Sequence, residues 1–231
     1  MTTTAFPRVL PLRIRPALAL AAVASALIAT AMALVWAPTD AVQGDVQRIM
    51  YVHVPSAWTA YLAFLVVFVA SVGWLWSRRP VFDAVAVASA EIGVLFTGLA
   101  LVSGSLWAKP TWGVWWTWEP RLLTTAVMFV MYVGYLLLRS LSHDVARRAT
   151  RAAVVGIVAV VNVPIVHLSV TWMNALHQLP TVLRPGGPAL DDRMLATLLL
   201  GVAAFTLVYA WLLATRAAVE RARQDRWLAL G

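Results

Sequence analysis

Six runs of about 20 mostly apolar residues dominate the chain, and a helix needs a run of that length to cross a bilayer. They fall at roughly residues 16–37, 55–76, 84–107, 122–138, 153–173 and 194–215. Only 12% of the 231 residues are charged and 61% are hydrophobic. Such a chain cannot cover itself with polar surface, which excludes a soluble globular domain, and it is far too apolar to be disordered. No long Pro/Gly/Ser linker, internal repeat or phosphate-binding GxxxxGK[ST] loop interrupts the pattern. The expected architecture is an all-α integral membrane protein with six transmembrane helices, a single multi-pass membrane domain over residues 1–231. The first run follows Arg8, Arg13 and Arg15, as in a signal peptide. It exceeds a typical signal core and lacks a cleavage site, so it reads as an uncleaved first span.

The net charge of +8 would suggest nucleic acid in a soluble protein. Here the basic residues sit in short clusters between apolar runs. Arg8, Arg13 and Arg15 precede the first run, Arg78 and Arg79 follow the second, Arg139, Arg147, Arg148 and Arg151 follow the fourth, and Arg216, Arg221, Arg223 and Arg226 follow the sixth. The alternate links carry fewer: Arg48, Lys109, Arg121, Arg184 and Arg193. By the positive-inside rule both termini are expected in the cytoplasm, with the first, third and fifth links outside. No nucleic-acid partner is expected; the lipid bilayer is. The chain has no cysteine, which excludes disulfides, iron–sulfur clusters and thiolate metal sites.

Chemistry is expected where polar and aromatic residues depart from a plain bundle. The segment WAKPTWGVWWTWEPR, between spans three and four, holds Trp107, Trp112, Trp115, Trp116 and Trp118 of the chain's 12 tryptophans. An aromatic belt spreads its tryptophans over many helix ends; this concentration suits an interfacial platform for a large flat ligand. If the segment is helical, Trp112, Trp115, Trp116 and Glu119 share one face. Of the four histidines, His143 reads as a solvated loop residue. His53, just ahead of the second span with Pro55 placed as a helix start, and His177, just past the fifth, match in depth on the outer side. His167 lies about 10 Å deeper. Two imidazoles at one depth can hold a metal ion or clamp a haem, and the lack of an acidic cluster disfavours a non-haem metal. Arg48 and Arg121 on the same side are candidates for binding carboxylates in two-pronged fashion. Glu91, the one carboxylate deep in a span, and Asn162 with Pro164, which can break the fifth span, support an alternative: a transmembrane transporter subunit. A subunit that only docks partners is a third possibility.

The strings YVHVPSAW, GSLWAKPTWGVWWTWEPRLLT and VVNVPIVHLSVTWMNALHQ resemble the cytochrome c maturation protein CcmC family, the haem exporter C proteins, from about Arg48 to Arg184. The resemblance implies a non-enzymatic, haem-handling protein of the cytoplasmic (inner) membrane. Such a protein presents haem b on the outer face and delivers it to a CcmE-like haem chaperone, in an ABC-type complex with CcmA-, CcmB- and CcmD-like subunits. It implies axial bis-histidine ligation by His53 and His177, a platform of Trp112, Trp115, Trp116 and Trp118, and Arg48 and Arg121 for the propionates. The family's Trp-rich motif usually ends Trp-Asp; here it ends Trp118–Glu119, one methylene longer.

Overall fold

The computed structural model describes residues 14–142, 144–173 and 175–230. Arg8, Arg13 and His143, invoked above, lie outside them. Helix α1 (Ile14–Ala31) runs into a π-helical turn (Met32–Trp36), and a 3₁₀ turn (Asp45–Ile49) leads into α2 (Met50–Ser77). Then come α3 (Pro80–Trp112), α4 (Pro120–Ser140), α5 (Val145–Ala159), α6 (Asn162–Trp172) and α7 (Asp192–Leu230). Among the described residues six helical stretches are long and apolar enough to span a membrane, with α5 and α6 together forming the fifth. No strand occurs among the described residues.

The helices outrun the apolar runs at several ends, each for a local reason. α2 begins at Met50, so His53 lies within its first turn and Pro55 lies inside the helix, not at its start. Pro55 has no N–H to offer Tyr51 O. That carbonyl and the proline ring face Gly201 of α7, where a Cβ would sit 3.5 and 3.4 Å away. α3 begins with Pro80 at its first position, after Arg78 closes α2 in the left-handed region. α7 continues past the bilayer-length run because RAAVERARQDRWLAL contains no Gly or Pro and carries the pairs Arg221–Asp225 and Arg223–Glu220.

The anticipated break in the fifth span is real. Val160 and Val161 form a turn, Pro164 cannot donate to Val160 O, and Val163 N–H takes that carbonyl instead at 2.9 Å. Asn162 Nδ2 donates to Thr124 O at 2.9 Å and fastens the break to α4. α5 packs on α2 and α4, whereas α6 packs on α4.

In lipid, helices associate through close packing and small residues rather than by escaping water. α2 and α3 meet through buried Ala60, Ala63, Ala84, Ala88 and Ala90, and a Cβ at Gly93 would run into the Phe64 ring. Phe64 stacks on Tyr132 of α4 with ring centroids 3.5 Å apart. Ser89 Oγ joins α2, α3 and α7, bonding Ala63 O and Tyr209 Oη at 2.7 Å each. α1 packs chiefly on α7, at the edge of this bundle.

Candidate functional site

The links α1–α2, α3–α4 and α6–α7 gather at one end of the bundle, where His53, His177 and the Trp-rich segment lie. His53 projects from α2 onto α3. Its ring meets Trp107 edge-on at 5.8 Å, and a Cβ on Gly104 would stand 3.0 Å from its Cε1. Its Nδ1 lies 3.2 Å from Ser103 Oγ. The one hydroxyl hydrogen of Ser103 points to Leu99 O at 2.7 Å. The contact therefore requires the proton on Nδ1 and leaves Nε2 with its lone pair.

His177 reaches the same end from the link between α6 and α7. Its ring meets Trp112 edge-on at 5.3 Å, and its Nδ1 lies 3.0 Å from Glu119 Oε1. A carboxylate only accepts, so here too Nδ1 donates and Nε2 stays free. Burial pushes the His177 imidazolium below the usual histidine range. Glu119 acts against that shift and the Arg121 guanidinium reinforces it. His53, His177 and Arg121 lie within electrostatic reach of one another.

The Trp-rich segment is not helical throughout, so the shared face of Trp112, Trp115, Trp116 and Glu119 does not form. Gly113, at φ +79°, ends α3 with its N–H on Lys109 O. Pro120 opens α4 and holds Glu119 extended (φ −74°, ψ 156°), and Glu119 Oε1 caps the helix by accepting from Leu122 N at 2.8 Å. Between these two stops the chain crosses the end of the bundle. Trp112 turns to His177. Trp115 takes the Lys109 ammonium 5.9 Å from its ring centre. Trp116 meets Trp118 edge-on at 5.8 Å, and Trp118 is 79% exposed.

The two arginines differ. Arg121 Nη2 donates to His167 O at 2.9 Å, while its buried Nε has no partner. Arg48 belongs to the first link. Its guanidinium takes Ala33 O, within the π-helical turn, and Ala37 O, just after it, and its Nε pairs with Asp45 at 2.9 Å. It is joined to neither histidine. His167 is exposed, and its ring meets Tyr61 edge-on at 6.4 Å, two turns further along α2 than His53. Glu91 has a partner that its own surroundings in the sequence did not suggest: Arg216 of α7, at 2.6 and 2.7 Å.

Three residues that support His53 escaped sequence reasoning as site members: Ser103, Gly104 and, as a ring partner, Trp107. Their signal was the SGSLW string that opens the Trp-rich segment, which presents Ser103, Gly104 and Trp107 on one helix face. Trp107 Nε1 also donates to Gln43 Oε1 at 2.7 Å, tying the first link to α3. Four buried polar atoms in the run from Trp116 to Arg121 lack a partner: Trp116 Nε1, Thr117 Oγ1, Glu119 Oε2 and Arg121 Nε. No group of three or more His, Asp or Glu residues fit to hold a metal ion by itself occurs among the described residues.

The family model of CcmC, Heme exporter protein C, matches residues 2–229. The chain is 44% identical over 176 residues to a Heme exporter protein C of Bradyrhizobium diazoefficiens, covering 76% of this chain and 67% of that one. It is 39% identical over 199 residues to that of Escherichia coli K12, covering 85% and 79%, and 37% identical over 204 residues to that of Haemophilus influenzae, covering 86% and 82%.

Proposed function

The chain belongs to the Heme exporter protein C family, a multi-pass membrane family of haem handling in cytochrome c biogenesis, and on that premise we propose that it holds one haem b between His53 and His177 and gives it up to a CcmE-like chaperone. The convergence of the two imidazoles carries the reading. Each has its Nδ1 proton engaged and its Nε2 free, and they lie within electrostatic reach of one another beside an aromatic segment. Neutral imidazole is a good axial ligand for haem iron, and a porphyrin needs an aromatic-lined surface. Trp112, Trp115, Trp116 and Trp118 would supply that surface. Arg121, with Nε unpartnered, is the nearer candidate for a propionate; Arg48 would first have to leave Asp45 and the Ala33 and Ala37 carbonyls.

The Arg-rich links favour a cytoplasmic position for the opposite end of the bundle, which would set the histidines on the outer face of the inner membrane. A site at the end of a bundle, reached from a link rather than enclosed by helices, suits capture followed by release. CcmA-, CcmB- and CcmD-like subunits would complete the assembly and supply any nucleotide hydrolysis. The Glu91–Arg216 pair closes one carboxylate and one guanidinium on each other, which suits an interhelical clamp better than a transport path.

The test is an absorption spectrum of the detergent-purified protein, oxidised and reduced, after loading with haem. Wild type and His167→Ala are expected to show the same low-spin Soret band, with His53→Ala and His177→Ala weakened or shifted. A wild type that takes up no haem, or a His167→Ala variant as impaired as the other two, would overturn the proposal.

A further inference from the structure

We infer that the two imidazoles are unequal iron ligands: His177 is the stronger donor, and His53 is the one whose bond to iron yields first when haem is passed on. This rests on the haem-binding proposal above and goes beyond it by assigning an order to release and a positioning role to Glu119 and Ser103.

The inequality lies in what each Nδ1–H meets. His177 donates to a carboxylate at 3.0 Å. His53 donates to neutral oxygens, Ser103 Oγ at 3.2 Å with the Ala100 carbonyl beside it. A hydrogen bond to an ionised acceptor is roughly twice as strong as one between neutral groups. It draws the proton away from the ring and makes the opposite nitrogen more basic, which strengthens its bond to a metal and favours the higher oxidation state. Glu119 is itself fixed as the cap of α4, so this acceptor is held in place by the backbone.

Anchoring acts in the same direction. The His53 ring sits within a helix pair, against Ser103, Gly104 and Trp107 of α3. It cannot follow an iron atom drawn off the site without unpacking α2 from α3. His177 stands on the irregular link between α6 and α7 and has more freedom to follow. The weaker donor is therefore also the more tightly fixed one. An incoming ligand from a transfer partner would take the iron position that His53 leaves.

The experiment loads the full-length protein with haem in detergent and compares four variants. His53→Ala is expected to keep most of its haem and, with free imidazole added, to regain a bis-imidazole spectrum; His177→Ala is expected to keep about tenfold less. Glu119→Gln, which keeps an acceptor and the cap but removes the charge, is expected to raise the haem midpoint potential by about 59 mV, a tenfold change in ferric-to-ferrous preference for one electron. Glu119→Asp should restore the wild-type potential, and Ser103→Ala should move it less than Glu119→Gln does. Equal haem retention by the two histidine variants, or the reverse order, overturns the inference while leaving the haem site standing. Equal shifts from Glu119→Gln and Ser103→Ala overturn it as well. A wild type without haem overturns the underlying reading instead. If Glu119→Gln fails to fold, the ranking of the two histidine variants decides alone.

Discussion

The two ends of the helix bundle differ in how they arrange their buried polar groups. At the end away from the histidines, Asp83 at the start of α3 is 3% exposed and Arg139 at the close of α4 is 7% exposed. They form a two-pronged pair at 2.6 and 2.9 Å, and Gln224 of α7 adds a third bond at 2.9 Å. Arg148 of α5 reaches Glu220 of α7 nearby. Unpartnered atoms occur there too, but they stand apart on separate helices: Ser71 Oγ on α2, Tyr135 Oη on α4 and Arg148 Nε on α5. At the histidine end, four different side chains between Trp116 and Arg121 each leave a polar atom unpartnered, and each imidazole has one nitrogen uncommitted. One end uses its polar groups to hold helices together. The other leaves polar atoms on a run of neighbouring side chains without partners in the chain.

Breaking the closed end should therefore change stability and leave haem uptake per folded molecule alone. Asp83→Ala strands the Arg139 guanidinium in a buried site, which costs about 3–5 kcal/mol. Thermal unfolding in detergent should show a large drop in melting temperature. The double variant Asp83→Leu/Arg139→Met, which removes both charges, should recover most of it. If haem loading fell while stability held, the division between the two ends would be wrong.

Gly104→Ala attacks the open end and should do the converse. The added Cβ would stand 3.0 Å from His53 Cε1 and 3.4 Å from Nδ1, so the ring must give by a few tenths of an ångström against its contact with Ser103. α3 itself gains from replacing a glycine within a helix. Haem titration should show binding weaker by about tenfold with the melting temperature unchanged or slightly raised. Unchanged affinity would mean that the position of the His53 ring does not matter for ligation.

The same contrast explains what the sequence made legible. Spans were readable because crossing lipid demands an apolar run, and nothing else produces six of them. Their ends were not, because they depend on single devices: the left-handed Gly113, the Glu119–Pro120 stop, and the Tyr51 carbonyl turned toward Gly201. At the open end His53, His177, Trp112 and Glu119 stood out, since polar and aromatic residues clustered in an apolar chain need a reason. Ser103 and Gly104 did not, because their importance comes from the register of α3 against α2, fifty residues away. Arg48 looked available for the same reason: the carbonyls it serves, Ala33 and Ala37, become acceptors only in and just after the π-helical turn.

Glu91→Gln should have the smallest effect and bears on the contrast most directly. Glu91 lies eleven residues into α3 and its partner Arg216 is 125 residues away in sequence, so the charge looked solitary until α7 was seen beside it. The pair sits at neither extreme, with side chains 34% and 30% exposed. Screening at such exposure limits the loss to no more than about 1 kcal/mol. The amide that replaces the carboxylate can still accept a hydrogen bond from Arg216, which limits it further. The expected result is a slight fall in melting temperature, with haem affinity and transfer to a chaperone both unchanged. Loss of transfer with haem binding intact would make this carboxylate part of a path through the bundle. The far end would then be doing chemistry rather than holding helices, and the contrast between the ends would fail at its weakest pair.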